Sequence, residues 1–210
     1  MSTVVAWSTA LVALIWAAET ISSRTKRRRR SDVKRVHARL QRLTDIIPAL
    51  FVIPAIAGLL MDAGTLYIGP IACVIQALGL ATAIGATVVS ARARMEMGDH
   101  YARGLEVWTE QKLVTRGLFS FVRHPIYLGT IVLGLGLGLG TLSWPLVAID
   151  LLVVLPWLYW LARQEERLMI ERFGQIYRIY RARVPMLSPW PRPRESRPGV
   201  AERPDIAEQE

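Results

Sequence analysis

The sequence is short of cysteine and histidine. Cys73 is the only cysteine among 210 residues, and there are three histidines. A single cysteine cannot form an internal disulfide, and it excludes a zinc site built on several cysteine ligands. Because Cys73 lies in an apolar stretch, we expect it to be buried among apolar neighbours. His, Cys, Asp and Glu do not cluster with metal-ligand spacing, so no metal site is predicted.

Charge is nearly absent from long parts of the chain. Hydrophobic residues make up 52% and the mean hydropathy is +0.29, yet the formal net charge is +9. These values agree if apolar and charged residues are segregated, and the charges do cluster at residues 24–42, 92–123 and from 163 onward. Apolar spans flanked by Lys and Arg are typical of a polytopic membrane protein. A nucleic-acid-binding function is not predicted, because no nucleic-acid-binding motif accompanies the basic residues.

The apolar stretches predict an all-α membrane bundle of about five transmembrane helices. The predicted spans are residues 4–21, 45–60, 66–91, 125–140 and 146–162. Positive charge follows the first span instead of preceding it, which indicates an uncleaved helix and not a signal peptide. The Lys and Arg clusters share one side of the membrane if the N-terminus is outside and the C-terminus is cytoplasmic. We therefore expect an integral protein of a prokaryotic cytoplasmic (inner) membrane.

Glycine and other small residues refine this outline. The third span carries Gly69, Gly79, Ala83 and Gly85, and the fourth carries Gly134, Gly136, Gly138 and Gly140. Such residues favour close helix packing in membranes. After the fifth span, residues 161–184 have the pattern of an amphipathic cytoplasmic helix, in which Gly174 marks a break. A single domain is predicted over residues 1–190, with its motifs at 111–189, followed by a disordered tail at 191–210.

The sequence Arg123-His124-Pro125-Ile126-Tyr127 stands where the loop 91–123 meets the fourth span. Pro125 favours the first position of a helix and keeps His124 out of helical geometry. The free backbone N–H groups of that helix start, together with Arg123, would bind an anion such as a carboxylate. The alternative is a membrane-boundary cluster, in which Arg123 reaches the surface and Tyr127 joins an aromatic belt.

Glu165 and Glu166 follow the fifth span on the basic side of the predicted membrane. A carboxylate at this place would bind the ammonium group of an amino-acid-like cofactor. The alternative is that both glutamates begin a solvated helix and pair with neighbouring arginines, namely Arg163, Arg167 or Arg172. Since a short turn at residues 141–145 joins the fourth and fifth spans into a hairpin, the two clusters should meet. Together they suit a zwitterionic ligand at the membrane surface.

These motifs carry a family resemblance. Residues 113–129 read LVTRGLFSFVRHPIYLG. They resemble the LVTxGxYxxxRHPxYxG signature of the isoprenylcysteine carboxyl methyltransferase family and its phospholipid methyltransferase relatives. The C-terminal motif of that family is matched by Glu165-Glu166-Arg167-Leu168, Phe173-Gly174, Tyr177, Tyr180 and Val184-Pro185. The resemblance covers roughly residues 111–189.

The resemblance implies a membrane methyltransferase that uses S-adenosylmethionine. Its pocket would face the cytoplasm under the C-terminal segment, with a lipophilic or lipid-modified substrate entering from the bilayer and membrane lipids as partners. The cofactor-binding residues implied by position are Lys112, Leu113, Val114, Phe119, His124, Pro125, Ile126, Tyr127 and Glu165. Arg123 joins them as part of the anion site. His124, Glu165, Glu166 and Arg163 are the catalytic candidates.

The chain departs from the family pattern at three places. Gln111 replaces a frequent His, and Phe119 replaces the usual Tyr, so each place loses a hydrogen-bonding group. The prenylcysteine enzymes carry a substrate-orienting arginine one turn before the cofactor glutamate. Here that turn holds Leu161 and Ala162, and Arg163 is the nearest arginine. The resemblance favours O-methylation of a carboxylate, with N-methylation and phospholipid methylation as open alternatives.

Two other functions compete with methyl transfer. An NADPH-dependent oxidoreductase of the sterol-reductase type would use a related membrane bundle and C-terminal pocket. A non-catalytic membrane protein would use the glycine face of residues 134–140 for assembly, and an oligomer is compatible with either function.

Overall fold

The computed structural model describes residues 8, 11–16, 18, 34–35, 53, 71–98, 106–107 and 112–188. Residues 11–16 are helical, as expected for the first predicted span. Apart from residue 53, the second span lies outside the described residues, as does the tail 191–210. Two short strands, β1 (Lys34–Arg35) and β2 (Glu106–Val107), pair antiparallel. The sequence did not predict this pair, because two residues are too few to show an alternating pattern. The other regular secondary structure in the described residues is helical.

Helix α1 (Ala72–Met97) presents a seam of small and polar residues to the bundle. The buried positions recur at steps of three and four: Gln76, Gly79, Ala83, Ala86, Ser90 and Ala93. The predicted end near residue 91 is wrong by six residues, because residues 92–97 favour helix and an Arg92–Glu96 ion pair of 3.2 Å supports the last turns. The predicted burial of Cys73 is also wrong, since it lies exposed in the first turn of α1.

Helix α2 (Pro125–Gly140) has the bounds that the sequence predicts, with Pro125 at its first position. It packs closely along α1 through glycines. A Cβ atom on Gly136 would lie 2.7 Å from the backbone nitrogen of Ala83, and Gly79 lies against the backbone of Gly140. Close backbone approach of this kind is what small residues at helix interfaces allow. Gly85, in contrast, is exposed with open space beside it, so its predicted packing role is wrong.

Two further glycines of α2 make close contacts, one with the next helix and one with α1. Gly138 faces helix α3 (Trp144–Ile149), where an added Cβ would lie 2.5 Å from Cγ2 of Val147. Gly129, the last residue of the matched signature, packs against Ser90 of α1. The glycine run therefore serves contacts within the chain on two sides of α2.

A single continuous helical rod runs from residue 144 to residue 173. It comprises α3, a π-helical turn (Asp150–Val154) and α4 (Leu155–Phe173). Pro156 has no N–H to donate to the carbonyl of Leu152, and the wider turn before it accommodates the loss. The predicted fifth span and the start of the amphipathic segment are thus one helix, without the expected division near residue 162. The break at Gly174 is confirmed, with φ of +56°, and α5 (Gln175–Arg183) follows it.

Two of the described helical segments are long and apolar enough to cross a membrane. They are α1 and the rod from residue 144 to 173, while α2 is apolar but shorter, with 16 residues. Apolar residues of α2, α3 and α4 pack together around Leu133, Leu137, Leu146 and Leu158. Asp150 lies in this interior beside the apolar residues. It is fully buried, and its two carboxylate oxygens have no hydrogen-bond partner in the part of the chain that the structure describes.

Candidate active site

The site is built at the N-terminal end of α2. His124 precedes the helix with φ of −124° and ψ of 64°, outside helical geometry as expected before Pro125. The backbone N–H groups of Arg123 and His124 donate to the carbonyl oxygens of Pro185 and Met186, at 2.9 and 3.1 Å. The segment after α5, residues 184–188, therefore lies alongside the start of α2. We call this segment the C-terminal strap.

The two adjacent glutamates of α4 have different partners. The carboxylate of Glu165 accepts a hydrogen bond from the hydroxyl of Tyr127, and its Oε2 lies 3.4 Å from Nδ1 of His124. Glu165 therefore belongs to the group of residues at the start of α2. The expectation that the hairpin brings these two clusters together is confirmed.

Glu166 instead forms a buried ion pair with Arg123. Nε and Nη2 of Arg123 donate to Oε1 of Glu166 at 2.8 and 2.5 Å, and Nε of Arg181 lies 3.3 Å from Oε2. The side chains of Arg123 and Glu166 are only 2% and 3% exposed. This geometry excludes the membrane-surface alternative for Arg123, and it places Glu166 away from the solvated face.

The arginines that neighbour Glu165 and Glu166 in the sequence make other contacts. Arg167 donates to Gln164 at 3.4 Å, and the guanidinium of Arg172 lies over the ring of Phe173. Arg163 is exposed, with its guanidinium 5.6 Å from the ring centre of Tyr159. The structure therefore does not bring Arg163, a predicted catalytic residue, into the cluster.

His124 lies between the two carboxylates and the ring of Tyr127. The two rings are nearly parallel, with centres 5.5 Å apart. Nε2 of His124 is buried, lies 3.6 Å from Oε1 of Glu166, and has no hydrogen-bond partner among the described residues. Burial lowers the pKa of His124, but hydrogen bonding and the charges of Glu165 and Glu166 outweigh it, so the pKa is raised overall. The protonated imidazolium is favoured by this environment.

The other predicted cofactor residues lie before α2. Lys112 is exposed, while Leu113 and Val114 are half-buried in a segment without regular secondary structure. A 3-10 turn (Gly117–Ser120) follows, and in it Phe119 is buried. The hydroxyl of Tyr180 donates to the carbonyl oxygen of Phe119 at 2.6 Å. Burial raises the pKa of the Tyr180 hydroxyl, which keeps it protonated as a donor. These contacts join α5 to the segment that leads into the site.

The chain matches the family model described as phospholipid methyltransferase over residues 71–176. The chain belongs to the phospholipid methyltransferase family. The match covers α1, α2, α3 and α4. It includes Arg123, His124, Tyr127, Glu165 and Glu166 of the site. The resemblance found in the sequence motifs is confirmed.

One curated relative shares part of this region. Methanethiol S-methyltransferase 1 of Bradyrhizobium diazoefficiens is 40% identical to this chain over 84 residues. The aligned part is 40% of this chain and 28% of that protein. The chain thus spans less than a third of the length of the relative that it matches.

Two contributions to the site of this phospholipid methyltransferase family member were missed in the sequence. Arg181 contacts Glu166, although its place on α5 indicates a solvated face. Glu96 of α1 accepts a hydrogen bond from the backbone N–H of Leu118 at 2.8 Å. Gly117, with φ of +61°, passes so close that a Cβ would lie 2.5 Å from Cδ of Glu96. Of these three residues, only Gly117 could have been singled out in the sequence, because glycine readily adopts a positive φ.

The residues present fit a methyl donor of the amino-acid type. Glu165 offers a carboxylate to an ammonium group, and the buried Nε2 of His124 offers a polar atom that lacks a partner among the described residues. The start of α2 favours an anion. The described residues contain no group of three or more His, Cys, Asp or Glu side chains placed to bind a metal ion.

Proposed function

We propose that this protein is a membrane methyltransferase that uses S-adenosylmethionine and acts on a lipophilic or amphiphilic acceptor. The observation that carries the proposal is the meeting of Glu165, His124 and Tyr127 at the start of α2, inside the matched family region. The family name supports methyl transfer, and α1 and the rod of residues 144–173 support a membrane setting. We further propose that the site faces the cytoplasm, with the N-terminus outside.

Each part of the cluster has a separate task toward the methyl donor. Glu165 would bind the ammonium group, and the N-terminus of α2, from Pro125 to Tyr127, would bind the carboxylate. Lys112, Leu113, Val114 and Phe119 would line the remainder of the pocket, as the family resemblance implies. S-adenosylmethionine supplies an electrophilic methyl group on a sulfonium. The protein contributes in-line positioning of donor and acceptor in a pocket that excludes bulk water.

The acceptor determines whether a base is required. A carboxylate acceptor already carries the attacking lone pair, whereas a thiol or an amine must lose a proton. His124 is the nearest group for that proton once its imidazole is neutral. Glu165 and Glu166 are less suited to this role, because they already pair with Tyr127 and Arg123.

A carboxylate acceptor lacks its expected partner. Arg163 is exposed and lies over Tyr159, and Leu161 and Ala162 are buried apolar residues. The substrate-orienting guanidinium of the prenylcysteine enzymes therefore has no counterpart among the described residues at this turn. A thiol needs no such cation, and the name of the bacterial relative supports sulfur as the acceptor. We propose a thiol as the second candidate acceptor beside the carboxylate.

The competing functions receive less support. The family match favours methyl transfer over an NADPH-dependent reaction. An assembly role would need the glycines of α2 to face a second protein. Gly136 and Gly138 instead pack against Ala83 and Val147 of the same chain.

A donor-binding and transfer experiment tests the proposal. Purified protein in detergent would be titrated with S-adenosylhomocysteine, and then incubated with methyl-labelled S-adenosylmethionine and three acceptors: an alkyl thiol, a prenylcysteine carboxylate and phosphatidylethanolamine. We expect binding, and transfer to one acceptor class, in the unmodified protein and in Glu171→Gln, which changes an exposed glutamate of the same helix. Glu165→Gln should lose both. Absence of binding in the unmodified protein, or binding of NADPH instead, would refute the proposal.

A further inference from the structure

Arg123 joins three separate parts of the chain. Its Nε and Nη2 donate to Glu166 on α4, and its Nη1 donates to the carbonyl oxygens of Arg181, at 2.8 Å, and Val184. Its backbone N–H donates to Pro185. Loss of either member of a buried ion pair leaves the other charge buried and uncompensated, which is strongly destabilising. The carbonyl groups at the end of α5 and the C-terminal strap therefore depend on a guanidinium that Glu166 holds in place.

The C-terminal strap lies directly beside His124. The backbone N–H of His124 donates to Met186 of the strap at 3.1 Å, and the same residue contacts Glu165 through its side chain. The side chains of His124 and Glu165 expose only 9% and 18% of their surface. A ligand the size of a nucleoside reaches these side chains only when a covering element moves. The strap is hydrogen-bonded to the backbone of His124, and the Arg123 guanidinium that Glu166 holds donates to the strap at Val184.

We propose that Arg123 and Glu166 are positioning residues that hold the C-terminal strap closed over the pocket, while Glu165 alone contacts the methyl donor. Glu166 already faces two guanidinium groups, those of Arg123 and Arg181, so its charge is compensated within the chain. Glu165 contacts the hydroxyl of Tyr127 and the ring of His124, which it shares with Glu166, so less positive charge faces Glu165 than Glu166 and its carboxylate suits an incoming ammonium group. This inference rests on the proposed function, because it assigns the two glutamates to different tasks in the same site.

Hydrogen exchange in the cofactor-free protein tests whether the Arg123–Glu166 pair holds the strap closed. The full-length protein would be compared with Glu166→Gln, Arg123→Lys, Glu165→Gln and the exposed control Glu171→Gln. We expect the amides of Arg123 and His124 to exchange roughly tenfold faster or more in the first two variants, because the strap opens locally. Exchange in Glu165→Gln and Glu171→Gln should match the unmodified protein. Unchanged protection of these two amides in both Glu166→Gln and Arg123→Lys would overturn the proposal that this pair holds the strap closed.

A milder variant guards against global unfolding. Arg181→Gln removes one contact of Glu166 from a half-exposed side chain, so the fold should survive. We expect intermediate exchange at the amides of Arg123 and His124, with the thermal unfolding midpoint nearly unchanged. If Arg123→Lys and Glu166→Gln do not fold, the exchange of Arg181→Gln decides the proposal by itself, and normal protection there would overturn it.

Ligand kinetics separate positioning from direct binding. In Glu166→Gln we expect S-adenosylhomocysteine to dissociate about tenfold faster, with kcat at saturating donor retained within a few-fold. In Glu165→Gln binding itself should be lost. Loss of binding in Glu166→Gln with the strap still protected would make Glu166 a cofactor ligand and overturn the proposal. If the unmodified protein binds no S-adenosylhomocysteine, the proposed function fails. The exchange experiment still tests whether the Arg123–Glu166 pair holds the strap closed.

Discussion

The hydroxyl of Tyr127 donates a hydrogen bond to the carboxylate of Glu165, across the interface between α2 and α4. The two residues are 38 positions apart in the sequence, and each comes from a different motif. The bond aims one carboxylate at the start of α2, where His124 stacks on the ring of Tyr127. Together with the Arg123–Glu166 ion pair, it joins the two sequence motifs into one site.

Removing this hydroxyl should weaken donor binding. Hydrogen bonds to charged groups contribute about 1.5–3 kcal/mol, so Tyr127→Phe should weaken binding of S-adenosylhomocysteine about tenfold or more. Tyr127→Ala should weaken it further, because the stacking on His124 is lost as well. Isothermal titration with both variants measures the difference. Equal affinity of Tyr127→Phe and the unmodified protein would contradict a role for this bond in orienting Glu165.

His124 should make the stability of the cofactor-free protein depend on pH. Its folded pKa is raised above the ordinary value of 6.5, after burial is outweighed by the two glutamates. The stabilisation is therefore fully present below about pH 6.5 and is lost as the pH rises through the raised pKa of the folded state. We expect the thermal unfolding midpoint in detergent to fall over this window.

The matched variant is His124→Gln, which keeps a polar side chain but cannot titrate. This variant should lose the part of the fall in the thermal unfolding midpoint that His124 causes. Its midpoint should then depend less on pH between about pH 6 and 9, which includes the ordinary histidine pKa of about 6.5. A midpoint that rises with pH in the unmodified protein, or an unaltered profile in His124→Gln, would show that His124 is not the responsible group.

The local signals in the sequence predicted the parts of the fold that depend on chain-breaking residues. Pro125 marks the start of α2 because proline fits the first helical position, and Gly174 marks the break before α5 because it takes a positive φ. The meeting of the two clusters was predictable, since a short turn forces the ends of a helical hairpin together. The end of α1 was not, because half of residues 92–97 are charged, although all six residue types favour helix.

The division between the two glutamates was not predictable from the sequence. Glu165 and Glu166 are neighbours with the same chemistry, and nearby arginines offered partners within one helical turn. Which carboxylate faces Arg123 depends on the rotation of α4 against α2, a property of packing that local patterns do not carry. Arg181 was missed for the same reason, since only the turn at Gly174 brings its side chain back to Glu166.

The close approach of α1 and α2 should make Gly136 intolerant of a methyl group. A Cβ there would lie 2.7 Å from the backbone nitrogen of Ala83, and backbone cannot move aside cheaply. Overpacking of this kind costs typically about 1–3 kcal/mol, so Gly136→Ala should lower the thermal unfolding midpoint. The control is Gly85→Ala on α1, where open space surrounds the position and alanine favours helix by up to about 1 kcal/mol. Equal midpoints for the two variants would contradict the packing.

Asp150 should be replaceable without loss of stability. Its carboxylate is fully buried at the start of the π-helical turn and has no hydrogen-bond partner among the described residues. The 16 residues of α2, which packs against this turn, include no charged side chain. An unsatisfied buried polar group costs about 1–3 kcal/mol, so Asp150→Leu should leave the thermal unfolding midpoint unchanged or raise it. Asp150→Asn, which keeps a polar side chain of similar size, should gain less. A midpoint lowered by several degrees in Asp150→Leu but not in Asp150→Asn would instead show that a polar group at this depth stabilises the bundle.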